Sequence, residues 1–310
     1  MRCSEVKNMK MHTSSSRVWT SDVKAFNVFG YSLIGLFTLI CVLPFYLIVI
    51  ASFENQANLI VDGYSLVVRD FSLENYALCL EDPMDIFNAY KTTISVTLVG
   101  TFLAVWLCTM TGFVLSRKDF VGRNAWSFFF FFTTLFSGGL APWYIICTRY
   151  LKFKNSFWGL MLPMVFSVWN MIISKSFMKG IPDAIVESAK IDGANDFTIY
   201  LRLILPVSKP LIATIGLFSA LTFWNDWYNC MLFVTKEHMY TLQYYLQKML
   251  SDAEALTRLA GKTNAVVVKT VPIEGMKMAM TVITTGPILL LYPFVQKYFV
   301  KGLTIGAVKG

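Results

Sequence analysis

Apolar residues in this chain fall in long blocks that are separated by polar segments. A helix needs about 20 apolar residues to cross the hydrocarbon core of a bilayer, which is roughly 30 Å thick. Several blocks reach that length, so the pattern predicts an all-α membrane protein with six transmembrane helices. The predicted spans are Val28 to Ala51, Thr92 to Leu115, Ala125 to Cys147, Phe157 to Phe177, Pro210 to Val234, and Met278 to Tyr298.

These spans define the expected organisation of the chain. Residues 1–27 form an N-terminal arm, residues 28–299 the six-span domain, and residues 300–310 a C-terminal tail. A loop over residues 178–209 joins spans 4 and 5. The first span has no small-residue cleavage site behind it, so we interpret it as an uncleaved helix and not as a signal peptide.

The third predicted span is the least regular of the six. It contains Ser137, Gly138 and Gly139, followed by Pro142. This combination kinks or interrupts helices. We therefore expect a break that lines a cavity, because irregular backbone is not stable against lipid.

Composition and charge support this interpretation. The chain is 55% hydrophobic and 15% charged, with a formal net charge of +8. Its basic residues lie between the apolar blocks and do not form a patch interleaved with aromatic residues, so a nucleic-acid partner is not expected. The positive-inside rule places the N-terminus, the loop between spans 4 and 5, and the C-terminus in the cytoplasm.

The residues that usually bind metals or carry out catalysis are few. Only His12 and His238 are histidines, and the six cysteines lie far apart and mostly within apolar segments. No spacing suggests a metal site, a disulfide framework or a catalytic residue. We interpret the cysteines as small apolar residues.

The loop between spans 4 and 5 predicts two short helices. Pro182 and Asp183 favour a helix start, and Gly193 is suited to the left-handed residue that ends a helix. Asn195 or Asp196 can then cap a second helix. The first helix should protrude into the cytoplasm and offer an amphipathic face to a partner.

The residues of this loop carry a family resemblance. Glu187-Ser188-Ala189, Asp192-Gly193-Ala194, Phe197, Leu205-Pro206 and Pro210 resemble the EAA loop of ABC importer permeases. Serine at 188 replaces the usual alanine. In that family the loop forms a coupling helix that docks into a groove of the cytoplasmic ATPase. The coupling residues that the resemblance implies are Glu187, Ser188, Ala189, Asp192, Gly193, Ala194 and Phe197.

Two further stretches narrow the resemblance. Residues Val300 to Gly310 resemble the tail of maltose-type sugar permeases. Ser137 to Pro142, together with Trp224 to Trp227, resembles the subgroup that imports oligosaccharides released from polysaccharides. The resemblance implies a permease subunit in the bacterial inner membrane, forming half of a sugar path that alternates between two open states.

The same resemblance implies the partners of the chain. They are a second homologous permease, a cytoplasmic ATPase dimer, an extracytoplasmic sugar-binding protein and membrane lipid. This subunit would bind no cofactor, because ATP-Mg would sit on the partner ATPase. Gly261-Lys262-Thr263 looks like the end of a phosphate-binding loop, but that motif needs glycine where Leu256 stands. We therefore expect no ATPase activity from this chain.

One acidic residue is predicted to lie within a span. Asp226 is flanked by Trp224, Asn225 and Trp227. Acids inside a membrane usually face a cavity or a polar partner, and aromatic and amide groups suit a sugar. An interfacial aromatic belt is an equal alternative. The possible solute path comprises Trp224, Asn225, Asp226, Trp227, Gly138 and Gly139.

Alternative functions remain at this point. A permease of the same fold for a non-sugar solute is the first. A secondary transporter would show internal repeats and paired intramembrane charges, and the sequence has neither. An intramembrane enzyme would need a nucleophile and base, or a metal set, that the sequence does not supply.

Overall fold

The computed structural model describes residues 21–263 and 274–290. These residues form helices, connecting turns and one isolated antiparallel bridge between Glu54 and Phe71, which confirms the all-α prediction. The helices are α1 (Ser21–Ser52), α2 (Gln56–Val61), α3 (Glu74–Cys79), α4 (Pro83–Ser116), α5 (Arg123–Leu135), α6 (Leu140–Tyr150), α7 (Phe157–Val165), α8 (Val168–Met178), α9 (Asp183–Ile191), α10 (Asp196–Val207), α11 (Lys209–Trp224), α12 (Tyr228–Phe233), α13 (Leu242–Thr263) and α14 (274–290).

Two of these helices, α1 and α4, are long and apolar enough to cross a membrane without interruption. Within the described residues, three bent helix pairs raise the number of candidate spans to at most five. Helix α14 begins before the predicted sixth span. The end of that span, the tail 300–310 and residues 1–20 of the arm lie outside the described residues.

The predicted break in the third span is confirmed. Helices α5 and α6 meet at an angle of 112°. Gly139 has a φ of 86°, a left-handed conformation that favours glycine. Pro142 lies in the first turn of α6, where its missing N–H costs no helical hydrogen bond.

The fourth and fifth predicted spans are not continuous helices. Helices α7 and α8 are bent by 47°, and Ser167 begins the second by accepting a hydrogen bond from the Asn170 N–H. The fifth span ends at Trp224 and not at Val234. Asp226 Oδ1 accepts the Asn229 N–H at 3.3 Å, which stabilises the start of the separate helix α12.

Helix α4 lies at the centre of the bundle and packs against α8 and α11. A Cβ at Gly100 would lie 2.7 Å from the Phe223 ring, and one at Gly112 would lie 2.9 Å from the Lys175 backbone nitrogen and closer still to Ser174. From the sequence alone, Gly216 and Ala220 of α11 are also suited to close packing, because they are small residues one helical turn apart. A Cβ at Gly216 would find its nearest neighbour 3.8 Å away, so the tight contacts belong to the glycines of α4.

Helix α1 packs little against the rest of the described chain. None of its most apolar stretch is buried, and side chains such as Phe37 and Leu39 are about two-thirds exposed. Contiguous exposed apolar surface of this extent marks a face that meets lipid or another protein. Lipid or another protein is therefore expected to cover it.

Replacing Gly112 with alanine should destabilise the contact between α4 and α8. The added methyl has no room beside the Ser174 backbone, and such overpacking typically costs about 1–3 kcal/mol. Gly216→Ala is the matched control, because both helices gain the same alanine propensity and only Gly112 is crowded. Thermal unfolding of the detergent-solubilised chain should show a lower Tm for Gly112→Ala alone. Equal Tm values would contradict this packing.

Candidate functional site

Helix α9 occupies the predicted coupling position and is ended by its glycine. Gly193 has a φ of 80°, and its N–H donates to the Lys190 carbonyl at 3.0 Å. The Ala194 N–H donates to the Ala189 carbonyl at 2.9 Å. This pair of bonds satisfies the last carbonyls of the helix and requires a left-handed residue at 193. A Cβ at Gly193 would meet nothing within 4 Å, so the requirement is conformational and not steric.

Both ends of α9 are joined by ion pairs to the turn between α4 and α5. Lys118 Nζ lies 2.8 Å from Asp183 Oδ2 at the start of the helix. Near its end, Lys190 Nζ lies 2.6 Å from Asp119 Oδ2 and 3.2 Å from Asp196 Oδ1. We call these contacts the α9 clamp. These pairs are exposed to solvent and add little stability, so their main effect is to fix the direction of α9.

The clamp remains charged over the physiological pH range. The hydrogen bond from Lys190 lowers the pKa of Asp119 to about 2, and the hydrogen bond from Lys118 lowers the pKa of Asp183. Hydrogen bonds to Asp119 and Asp196 raise the pKa of Lys190. Because the pKa of the Asp119 carboxyl is depressed on folding, its ion pair with Lys190 is fully formed above about pH 4 and is lost as the pH falls toward about 2.

The inner face of α9 packs against its own subunit. Val186 and Ala189 are buried in a cluster that includes Phe113, Ile199 and Tyr200. Ile185 and Ala189 lie one turn apart in the sequence and would form an apolar strip on the helix. In the structure the two buried side chains are instead Val186 and Ala189. Ala189, one of the predicted coupling residues, therefore supports the helix from behind and does not lie on its free surface.

The outer face of α9 is free for a partner. Ala184, Glu187, Ser188 and Ile191 recur at helical spacing and are all exposed, with Ile191 at 86%. The Glu187 side chain has no hydrogen-bond or ion-pair partner among the described residues. Ala184 and Ile191 are missing from the predicted set, although their spacing from Glu187 and Ser188 in the sequence marks the same face.

The residues after α9 divide between a free tip and a buried support. The Asp192 side chain is exposed and has no partner in the described part of the chain, so it is available at the tip beside Gly193. The Asn195 side chain caps α10 by accepting the Thr198 N–H at 2.8 Å. Phe197 contacts the Trp106 ring edge to face at 6.2 Å but stays 55% exposed, so it packs only partly against the bundle.

Tyr200 joins α10 firmly to α4. Its side chain is 1% exposed, and its hydroxyl lies 2.8 Å from the Thr109 hydroxyl. The ring packs against Trp106 at 5.9 Å and Phe113 at 5.7 Å. A buried tyrosine whose hydroxyl is hydrogen-bonded combines large apolar burial with a fixed orientation. Tyr200 has this supporting role although the sequence analysis does not select it, and its aromatic neighbours become visible only in the fold.

Trp224 has a structural role in the predicted solute path. It is 6% exposed, and its indole N–H donates to the Thr284 carbonyl of α14 at 3.2 Å. Its ring packs among Leu242 and Met280. The residue joins α11 to α13 and α14, so it would support the wall of the predicted solute path from the protein side.

Asp226 lies in the non-helical break between α11 and α12. Oδ1 accepts hydrogen bonds from the Asn229 side chain at 3.1 Å and from its N–H. Oδ2 is buried and has no hydrogen-bond partner among the described residues. An acceptor without a partner is costly in an apolar setting, so this oxygen is suited to a donor supplied from outside the chain.

The other residues of the predicted solute path are exposed. Some lie at this break and some at the break between α5 and α6. Asn225 caps α11, and Trp227 is 40% exposed with its ring against Tyr228. Gly138 and Gly139 are exposed at the α5–α6 break. The observed contact between the two regions runs from Trp143 and Tyr144 of α6 to Phe233 of α12, at ring distances of 5.3 and 6.0 Å, and not through the glycines.

Two proteins of Bacillus subtilis are similar in sequence to this chain over nearly its whole length. The chain is 35% identical to the polygalacturonan/rhamnogalacturonan transport system permease protein YtcP of Bacillus subtilis, covering 93% of this chain and 99% of the relative. It is 36% identical to protein LplC of the same organism, covering 94% and 97%.

A solved structure is also similar to this chain along nearly its whole length. A chain in the crystal structure of a bacterial ABC transporter involved in the import of the acidic polysaccharide alginate matches with a TM-score of 0.77 and 26% identity, covering 91% of this chain and 99% of that one. Residues 92–305 match the family described as binding-protein-dependent transport system inner membrane component. The chain belongs to this family of ABC importer permeases, as the loop of α9 and α10 indicates.

Proposed function

We propose that this chain is one permease subunit of an ATP-driven importer and forms half of the path for a sugar or oligosaccharide. The observation that carries the proposal is the free outer face of α9 on a rigid support. The names of YtcP and of the alginate transporter favour a carbohydrate solute over the non-sugar alternative. The family assignment disfavours a secondary transporter.

The coupling step follows from how α9 is held. A cytoplasmic ATPase dimer that closes on ATP-Mg would displace the outer face of α9, centred on Glu187 and Ile191. The α9 clamp and the burial of Tyr200 would pass that displacement to α4 without bending the loop. Because α4 packs closely against α8 and α11, this displacement would then rock the bundle between its two open states.

The proposed partners correspond to surfaces that this subunit leaves uncovered. A second homologous permease and lipid would cover the apolar faces, including α1. An extracytoplasmic sugar-binding protein would meet the end of the bundle opposite α9. We place α9 and both termini in the cytoplasm of a bacterial cell, following the basic loops. ATP hydrolysis would be carried out by the separate ATPase, and this subunit would hold no cofactor.

The solute would be bound near the break between α11 and α12. The free Oδ2 of Asp226 would accept a hydrogen bond from a sugar hydroxyl, and the exposed Trp227 ring would cover an apolar sugar face. The aromatic-belt alternative predicts no solute contact at this site. Asp226 is therefore the residue at which the two interpretations differ.

Replacing Gly193 with valine should uncouple the permease from its ATPase. A β-branched residue is strained at a φ of 80°, by about 1–2 kcal/mol, and would change how α9 ends. Asparagine tolerates this conformation, so Gly193→Asn is the matched control. Solute-stimulated ATPase activity of the reconstituted complex should fall about tenfold for valine and stay near wild type for asparagine. Equal activity in both would remove the geometric role assigned to Gly193.

Replacing Ile191 with aspartate should weaken ATPase binding without disturbing the permease fold. The side chain is 86% exposed, so an added charge disrupts only a surface that a partner covers. Val121→Asp is the control, since Val121 is 99% exposed at the same end of the bundle but off α9. Affinity purification from the host should recover less ATPase with Ile191→Asp alone. Undiminished recovery would place the docking surface elsewhere.

Replacing Asp226 with asparagine should weaken solute transport and leave assembly intact. The change keeps an acceptor for Asn229 but converts the free oxygen into a donor. The transport KM of the reconstituted importer should rise roughly tenfold, as expected for one lost hydrogen bond to a charged group. Asp70→Asn, the same chemical change at an exposed acid outside the proposed path, serves as the control. An unchanged KM would favour the aromatic-belt interpretation.

A further inference from the structure

A strongly basic cavity lies behind α9, where α4 ends and α5 begins. Its volume is about 330 Å³. Five cationic side chains line it together with one carboxylate, that of Asp183. The cations are Arg117, Lys118, Arg123, Lys175 and Lys179.

The cations of this cavity are poorly balanced by the protein. Asp183 pairs with Lys118 and, at 3.7 Å, with Arg117, which also lies 3.3 Å from Asp119. No described carboxylate lies within ion-pair distance of the other cationic groups, which belong to Arg123, Lys175 and Lys179. Lys175 and Lys179 lie one helical turn apart and line the same cavity as Arg123, so three like charges are gathered there. Cations held together in this way are stabilised by a bound anion.

An apolar groove adjoins the basic cavity and shares Leu115 with it. It measures about 220 Å³ and is lined by the apolar side chains of α4 and α5 and of the turn between them. The lining residues include Val114, Phe120, Trp126 and Phe130. Trp126 is 51% exposed in the first turn of α5, the position at which tryptophan marks the boundary between lipid and water.

We infer that the cavity and groove together bind one anionic phospholipid. The phosphate of the headgroup would lie among Arg123, Lys175 and Lys179, and an acyl chain would follow the groove past Leu115 and Trp126. Basic pockets between the ends of membrane helices bind anionic headgroups in this manner. The lipid would thereby join the turn after α4 to the support of α9. The inference goes beyond the proposed transport function and does not depend on the solute or on ATPase docking.

An acidic segment of a partner protein is the competing occupant. Charge alone would suit either ligand, but an apolar groove that adjoins the cavity and carries Trp126 favours a lipid. A protein segment would have to enter beside α5, whose exposed side chains Phe128, Phe129 and Phe132 are apolar and suit lipid. Free phosphate would use the cations but would leave the groove empty.

The test measures lipid retained by the assembled importer. The complete complex is reconstituted in vesicles of phosphatidylcholine containing phosphatidylglycerol, re-extracted gently and weighed by native mass spectrometry. The variant Arg123→Gln with Lys179→Gln removes two unpaired cations of the cavity. The control Arg202→Gln with Lys209→Gln removes two exposed cations that lie outside the cavity. The variant Arg123→Lys with Lys179→Arg keeps the charge and tests whether the site tolerates substitution.

The wild type, the control and the charge-retaining variant should carry phosphatidylglycerol in preference to phosphatidylcholine. The cavity variant should lose about tenfold or more of that preference, as expected for two charges near a lipid headgroup. Equal retention in all four proteins would overturn the site. Displacement of the lipid by inorganic phosphate would instead assign a free-anion site. Loss of the ATPase from the cavity variant, with lipid unchanged, would assign the cavity to an acidic partner segment and also overturn the inference.

Discussion

The burial of Tyr200 against α4 is the interaction on which the rest of the site depends. The loop between α8 and α11 would otherwise be a surface excursion held by exposed ion pairs, and such pairs alone do not hold a helix rigidly. The Tyr200 ring lies between Trp106 and Phe113, and its hydroxyl meets Thr109. These contacts make α10 part of the same packed core as α4. Helix α9 inherits that rigidity through Val186 and Ala189.

A rigid support explains why the outer face of α9 can be small. A force applied at Glu187 and Ile191 is useful only if the loop does not absorb it. The left-handed turn at Gly193 fixes the angle between α9 and α10, and the α9 clamp fixes the direction of α9 relative to α4. Each contact is modest in free energy, but together they hold α9 at both of its ends and at the turn that follows it. Under the proposed function, the bundle would then respond to its partner as a packed unit.

Much of this arrangement could be predicted from the sequence. Block length gave the apolar helices, Ser137 to Gly139 gave the break between α5 and α6, and Gly193 gave the end of α9. The hydropathy pattern does not predict the bend at Ser167 or the helix end at Trp224, because it does not register local hydrogen bonds such as those accepted by the Ser167 and Asp226 side chains. The roles of Tyr200 and of the basic cavity depend on residues far apart in the chain. Only the fold brings Arg123 and Lys179 together.

We expect α9 and α4 to move as one rigid body when ATP binds. Spin labels at Ser188, on the outer face of α9, and at Met84, in the exposed first turn of α4, report that relation directly. Pulsed electron resonance on the complete importer would measure the distance between them without nucleotide and in the ATP-bound state. If α9 and α4 move together, both states will show the same distribution of distances between Ser188 and Met84. A label on the partner permease will meanwhile move relative to Ser188. A shift of several ångströms between Ser188 and Met84 would contradict it.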